Sequence, residues 1–260
     1  MNKILLSFDL EEFDIPEEFG QKLGEEEKIK VTLSGLMPLL ELLDKYNIKT
    51  TFYTTAFFAE RNTALIKRIS EKHEIASHGY YHSSFKPEDI SKSKKVLEKI
   101  TQLPVNGFRM ARLMPVDKAL LVKAGYAYDS SLNPTFIPGR YNNLDKPRRP
   151  FNSDGLVNLP ASAATIFRIP LFWISFKNFP LGLYRTLAIK ALKKDNYLNI
   201  YFHPWEFANI SGYKLPFYVK GISGERLLAK FEKLLISLKE QGEFISSADY
   251  CNYYLTNVAE

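Results

Sequence analysis

Hydrophobic and polar positions along the chain follow two alternating rhythms. Ile4 to Phe8 reads as a buried strand, and Leu36, Leu39, Leu40 and Leu43 then recur at helical spacing before a second strand-like run, "KTTFYTTAFF". Strand, helix, strand predicts a βαβ unit. The pattern repeats with a helix around Ala64 to Lys72, a short strand at Glu74 to Ser77, and a helix opened by Pro87, Glu88 and Asp89. "GFRMAR", a helix from about Pro115 to Ala124, and "YAYDSS" follow. Such alternation predicts an α/β fold with a parallel sheet, closed or nearly closed into a barrel.

From Asn133 to Ser162 the rhythm breaks. Pro134, Pro138, Pro147, Pro150 and Pro160 punctuate a basic stretch carrying Arg140, Arg148 and Arg149, which predicts a loop-rich insertion at about 133–162 over one barrel end. Regularity returns with a helix near Leu181 to Lys194 and the strand "YLNIYFHPW". A helix striped by Leu227, Leu228, Phe231, Leu234, Leu235 and Leu238 comes next, then a last strand near Phe244. With no repeat and no linker, residues 1–260 are expected to form one domain.

Composition narrows the class. A hydrophobic content of 45% with 14% aromatics argues against disorder. Lysine plus arginine exceed aspartate plus glutamate by 35 − 29 = 6, a mild excess that suits an anionic substrate or a membrane surface. No Lys/Arg-rich block, zinc finger or RNP-like pattern accompanies it, so no nucleic acid is expected as partner. Cys251 is the only cysteine, which rules out an internal disulfide and fits a reducing compartment. The apolar run in "MNKILLSFDLEEFD" is too short for a secretory signal, and nothing reaches the ~18 to 20 uncharged apolar residues of a spanning helix. The expected location is the cytoplasm.

Parallel α/β folds collect their active sites at the carboxyl ends of strands. Asp9 and Glu11 end the first predicted strand, His78 and His82 the third, Arg109 lies in the fourth, and His203 ends "NIYFH". These residues are predicted to converge on one rim. Two imidazoles and one carboxylate make a facial set for a divalent cation such as zinc, with positions left for water and substrate. Hydrolysis there also needs a base for the water and an acid for the leaving group, roles that fit Asp9 and His203. An H-x-x-x-H pair alone is a weak signal, since two polar loop residues give the same spacing. The case rests on His78, His82 and His203 all falling at strand ends; His73, after Glu71 and Lys72, is expected to be a solvated helix-end residue.

Taken in order, "SFDLEE", "SHGYYH", "GFR" and "YFHPWEF" resemble the polysaccharide deacetylases of the NodB-homology group, carbohydrate esterase family four, over about residues 3 to 250. "FHPWEF" is similar to a bacterial subgroup associated with exopolysaccharide or capsule synthesis. The resemblance implies an irregular (β/α)7-type barrel, zinc or another divalent ion, and removal of N- or O-acetyl groups from sugars. It also implies Asp9 as general base, His78 and His82 as metal ligands, Arg109 as the residue holding the base, and His203 as general acid.

Two departures stand out. The family's adjacent aspartate pair is here Asp9 followed by Leu10, so the third ligand falls to Glu11 or Glu12. Glu11 is favoured because residues i and i+2 of an extended segment share one face. The proline-rich stretch that follows the family's arginine is replaced by Met110, Ala111 and Arg112.

Tyr80, Tyr81, Trp205 and Phe207 flank the motifs, and rings there either stack on sugar or fill the core. Trp205 and Tyr81 are taken as substrate candidates. Arg168 joins them, because it and the insertion arginines Arg140, Arg148 and Arg149 suit clamping a phosphate or carboxylate, or else a solvated loop. Asp129 suits either a hydrogen bond to a catalytic group or a turn cap. "RIPLFWISFKNFPLGLYRTLAIKALKK" joins aromatics to lysines as a peripheral membrane segment does, and fits equally a barrel helix with a lead-in strand. The expected function is metal-dependent deacetylation of an N-acetylated sugar, oligosaccharide or lipid-linked glycan, in the cytoplasm or at the inner face of the membrane. Two other readings stay open: a metal-poor relative that hydrolyses a formyl amide or ureide, and a catalytically silent glycan-binding protein.

Overall fold

The computed structural model describes residues 1–257. Its first half runs β1 (Lys3–Leu10), α1 (Glu25–Tyr46), β2 (Thr51–Thr54), α2 (Ala56–Arg61), α3 (Thr63–Ser70), β3 (Glu74–Ser77), α4 (Pro87–Thr101), β4 (Gly107–Phe108), α5 (Lys118–Lys123) and β5 (Tyr128–Asp129). Two hairpins follow, β6 (Phe136–Ile137) with β7 (Tyr141–Asn142), and β8 (Phe151–Ser153) with β9 (Leu156–Asn158). The second half closes with α6 (Trp173–Asn178), α7 (Leu181–Asp195), β10 (Tyr197–Phe202), α8 (Phe217–Lys220), α9 (Gly224–Lys239), β11 (Glu243–Phe244) and α10 (Ser247–Asn257).

The strands curl into a parallel sheet in the order β10-β1-β2-β3-β4-β5-β9, with β8 antiparallel outside β9 and β11 beside the start of β1. The seam between β9 and β10 is stitched by a few bonds in place of a ladder. Ser162 N–H donates to the Asn199 carbonyl at 2.8 Å, and Asn199 Nδ2 donates to the carbonyls of Leu159 and Pro160 at 3.0 and 3.2 Å. This is the irregular partial barrel expected of the (β/α)7-type fold.

The period of β1 sets the layers. Ile4, Leu6, Phe8 and Leu10 pack outward against Leu36, Leu39 and Leu43 of α1 and Leu227, Phe231 and Leu234 of α9. Burying each such side chain contributes about 1.5–3 kcal/mol. Leu5 points the other way, into an inner cluster with Tyr53, Ala76, Tyr128, Val157 and Tyr197. Asp9 shares the parity of Leu5, so the same alternation that buries the strand brings a carboxylate to the inner mouth of the barrel.

Four expectations need correction. "KTTFYTTAFF" is a strand only to Thr54; Thr55 caps α2 by accepting the Phe58 N–H, which turns Ala56, Phe57 and Phe58 into a buried helix. The stretch 133–162 is more than loop, because Leu156 to Asn158 form a fully buried ring strand. The lead-in to α7 is the helix α6 and no strand. His73 is buried, its ring edge-on to Phe52 at 5.4 Å, and burial lowers its pKa to about 4. α10 was not foreseen. Among the described residues no helix is long and apolar enough to cross a membrane; the aromatic and lysine-rich segment instead buries Tyr184, Ala188, Ala191 and Leu192 of α7.

Candidate active site

β1 delivers two carboxylates. Asp9 lies within the strand and Glu11 just beyond it, both buried and both on the inward parity. Glu12 has the opposite parity and turns away, its carboxylate accepting the Thr55 hydroxyl at 2.7 Å.

The loop after β3 delivers the imidazoles. Gly79 takes φ +80°, a conformation that admits glycine readily, and lets the chain fold back after His78. The carbonyls of Gly79 and Tyr80 then accept the N–H groups of Ala56 and Phe57 at 3.0 Å each, so the start of α2 anchors the turn. His78 and His82 emerge with stacked rings, 5.8 Å apart. Both Nε2 atoms lie 3.1 Å from Glu11 Oε2. Glu11, His78 and His82 are the metal-competent cluster found among the described residues.

This donor set fits a divalent cation. His78 Nδ1 faces the Arg109 carbonyl at 2.9 Å, which only accepts, so Nδ1 carries the proton. His82 Nδ1 donates to Asp14 Oδ1 at 2.7 Å. In the neutral tautomers both Nε2 lone pairs therefore point toward Glu11, the arrangement that outer hydrogen bonds impose on metal-binding histidines. Burial opposes the charge on Glu11, yet His82, His203 and His78 outweigh it and lower the pKa to about 2. Burial likewise opposes the charge on His82, but Glu11 and Asp14 raise its pKa to about 9.

Asp9 is held on one side only. Arg109 Nη1 donates to Asp9 Oδ1 at 2.6 Å, while its Nε and Nη2 donate to the carbonyl and hydroxyl of Ser130 at 3.2 and 3.0 Å. The guanidinium also lies over the Tyr53 ring, 3.9 Å from its centroid. Asp9 Oδ2 is left facing the site, 3.9 Å from His78 Nε2 and 3.8 Å from His203 Nε2.

His203 follows β10 and is fixed from behind. Glu206 Oε1 accepts its backbone N–H at 2.8 Å and Nδ1–H at 3.1 Å. Trp205 stacks on the imidazole at 4.8 Å between centroids, and Trp173 meets it edge-on at 5.2 Å. Burial opposes protonation of His203, but Glu11, Glu206 and Asp9 raise its pKa. Behind Glu206 lies Lys177, buried, with Nζ 3.6 Å from Oε2.

Asp9, Glu11, His78, His82, His203 and Trp205 line a cavity of about 300 Å³ together with Trp173, Tyr141, Arg112 and Arg140. The structure thus brings Asp9, Glu11, His78, His82 and His203 into one pocket, with Arg109 directly behind Asp9. The substrate candidates fare differently. Trp205 borders the cavity but is buried, and its Nε1–H donates to Glu11 Oε1 at 3.2 Å, so its ring supports the site from beneath. Tyr81 packs on Phe57 outside the pocket, and Arg168 is spent on the carbonyls of Pro134 and Lys146. Arg148 and Arg149 pair with Asp195, away from the cavity. Asp129 is a turn cap: it accepts the Ser131 N–H at 3.0 Å, and Ser131 Oγ accepts the Met110 N–H at 2.8 Å. Tyr80 bonds Glu60, and Phe207 packs in the core on Phe8 and Phe231.

Asp14, Glu206, Lys177 and Trp173 escape a reading of the sequence. Asp14 and Glu206 sit inside or beside the motifs, as acids three residues beyond Glu11 and His203, and that spacing is the available signal. Lys177 and Trp173 carry none.

Residues 34–128 match the family model described as polysaccharide deacetylase. Over those residues the match agrees with the resemblance drawn from the motifs, but not with the likeness of "FHPWEF" to one subgroup, which lies outside it; it contains His78, His82 and Arg109 and leaves out Asp9, Glu11 and His203. No curated protein matches the chain in sequence. A probable polysaccharide deacetylase from Pseudomonas aeruginosa PAO1 is 15% identical with a TM-score of 0.71, over 99% of this chain and 92% of that one. Puue allantoinase is 16% identical with a TM-score of 0.69, over 99% and 91%. A family 4 acetyl xylan esterase from Clostridium thermocellum, solved with a cobalt ion, is 16% identical with a TM-score of 0.50, over 99% and 93%. At such identities the likeness is one of fold.

Proposed function

We propose, from a chain whose residues 34–128 match the polysaccharide deacetylases and whose whole length carries their fold, that it removes an N-acetyl group from a sugar of a surface-glycan precursor. One observation carries this reading: Asp9 Oδ2 and His203 Nε2 meet 3.8 Å apart beside the Glu11, His78, His82 cluster. Hydrolysis of an unactivated amide needs that combination of a base, an acid and an electrophile.

Glu11, His78 and His82 would hold the divalent cation, for which we favour zinc because two imidazoles and a carboxylate suit it. Held there, it supplies Lewis acidity toward the acyl carbonyl and acidifies a water. Asp9 takes the proton of the attacking water on Oδ2, since Oδ1 is committed to Arg109. His203, anchored by Glu206, gives a proton to the departing amine. Arg109 keeps Asp9 in place, and the Trp173 and Trp205 rings fix the imidazole plane. The cavity volume lies at the low end for small-molecule sites and suits one sugar ring with its acyl group. The lone, buried Cys251 is compatible with the cytoplasmic setting we assign.

Purified protein assayed for acetate release from a panel of N-acetylated sugars, with chelator and after zinc addition, tests the reading. Release abolished by chelator and restored by zinc is expected. Chelator-insensitive turnover of a ureide or formyl amide would replace it with the second hydrolase reading, which the allantoinase-like fold keeps in view. Sugar binding without turnover of any substrate would point to the silent glycan-binding protein.

A further inference from the structure

After Met1, the most exposed large apolar side chains among the described residues are Phe167 (90%), Phe217 (80%), Ile166 (67%), Met114 (53%) and Phe136 (52%). They are scattered in sequence and gathered in space. Met114 follows β4, Phe136 follows β5, Ile166 and Phe167 follow β9, and Phe217 follows β10. All therefore lie on segments leaving the carboxyl ends of ring strands, the end at which the pocket opens. Their immediate neighbours Leu113, Ile137 and Tyr218 line that pocket. The Phe167 turn is tied to the same rim by Arg168, which donates to the carbonyls of Pro134 and Lys146 on either side of the β6–β7 hairpin.

The Phe167 turn holds a second signal. Phe167 and Arg168 adopt φ of 59° and 48°, a region that side chains other than glycine, asparagine and aspartate rarely occupy. A strained backbone is expected where function retains it. Here the strain holds an aromatic ring out in water, where no burial repays it. Cations stand among these apolar tips: Arg140, paired to Glu18 at 3.5 Å, and Lys146, paired to its neighbour Asp145 at 3.0 Å, are both more than half exposed. The chain as a whole carries an excess of six positive charges.

We propose that this rim docks on a membrane surface bearing anionic lipids, the apolar tips entering the headgroup boundary and the cations facing the lipid phosphates. Separate rim segments presenting isolated aromatic and aliphatic tips, Phe136 from the β6–β7 hairpin and Phe217 from the start of α8 among them, with cations between them and a pocket at the centre, suit insertion into a soft interface better than packing against a rigid partner. The docking itself stands apart from the deacetylase reading. What rests on that reading is the substrate it would deliver, an N-acetylated sugar still joined to its lipid carrier.

Co-sedimentation of the full chain with vesicles of phosphatidylcholine mixed with phosphatidylglycerol tests the proposal, beside the variant Phe167→Ser, Phe217→Ser. Both side chains are exposed and outside the catalytic cluster, so the variant is expected to fold and to release acetate from a soluble sugar as the parent does. Its vesicle affinity is expected to fall by roughly tenfold or more. Failure of the parent to sediment, or equal sedimentation of the variant, overturns the proposal. So does a parent that self-associates through this rim, with the variant monomeric and vesicles bound by neither. A parent that binds vesicles yet releases no acetate from any sugar sinks the deacetylase reading and leaves the docking face in place.

Discussion

His82 Nδ1 donates to Asp14 Oδ1 at 2.7 Å, and the other oxygen of that carboxylate is buried without a hydrogen-bond partner among the described residues, 3.5 Å from Arg112. Asp14 thereby fixes the tautomer of His82 and aims its Nε2 at Glu11. Outer partners of this kind tune metal affinity without touching the ion. Asp14→Asn keeps the shape but removes the charge that makes His82 more basic. We expect zinc affinity, read by competition with a chromophoric chelator, to fall about 10- to 100-fold. An unchanged affinity would show that Asp14 does not orient the ligand.

The same cluster dictates a pH dependence. His82, with its pKa raised to about 9, contributes stability that is fully present below its ordinary 6.5 and lost as pH climbs through 9. Glu11, lowered to about 2, contributes stability present above its ordinary 4.5 and lost as pH falls toward 2. On these two groups the metal-free protein is steadiest between pH 4.5 and 6.5. A cation must displace the proton on His82, so its apparent affinity should rise about tenfold per pH unit until that proton is gone. Isothermal titration in buffers of different ionisation heat would count the released proton. An affinity flat between neutral pH and 9 would contradict the arrangement.

Much of this was legible in the chain for a physical reason. Strand parity fixes Asp9 and Glu11 on one side of β1 and sends Glu12 to the other, and strand ends in a parallel sheet face one rim, so the histidines had to meet. What stayed hidden depends on tertiary contact. β9 is three residues long and sits among prolines, so local pattern gave no sign that it completes the ring. His73 follows two charged residues and looked solvated, but Phe52 and the start of β3 bury it. Trp205 suits a sugar platform and a core position alike, and only the fold shows its N–H spent on Glu11.

Glu206 and Lys177 form a buried ion pair behind His203, Nζ to Oε2 3.6 Å, with Lys177 set between the rings of Trp173 and Trp205. Removing one member leaves the other charged and buried, a costly state. Lys177→Met should therefore destabilise by about 3 kcal/mol, and Lys177→Met with Glu206→Gln by less, in chemical denaturation. Glu206→Gln alone is expected to lower kcat about 100-fold at unchanged zinc content, because His203, in the acid role we propose for it, loses its anchor. A kcat loss matched by metal loss would instead make Glu206 part of the ligand scaffold.

Gly35 ties the outer helix to the turn that follows His203. It lies on the face of α1 that packs against Pro204 to Phe207, the turn directly after His203, and a methyl group there would strike the Pro204 carbonyl and the Ala208 N–H. No flexible side chain stands between to give way, so either α1 or the turn must shift. Overpacking against backbone costs about 1–3 kcal/mol, and the shift passes straight to His203 and Trp205. Gly35→Ala is thus expected to lower Tm and, at temperatures where it stays folded, to cut kcat while the zinc binding proposed for Glu11, His78 and His82 is kept. Gly182, where an added methyl would meet no atom within 4 Å, supplies the control: Gly182→Ala in α7 should leave activity intact and gain a little helix stability. Equal behaviour of the two variants would mean that α1 does not set the position of His203.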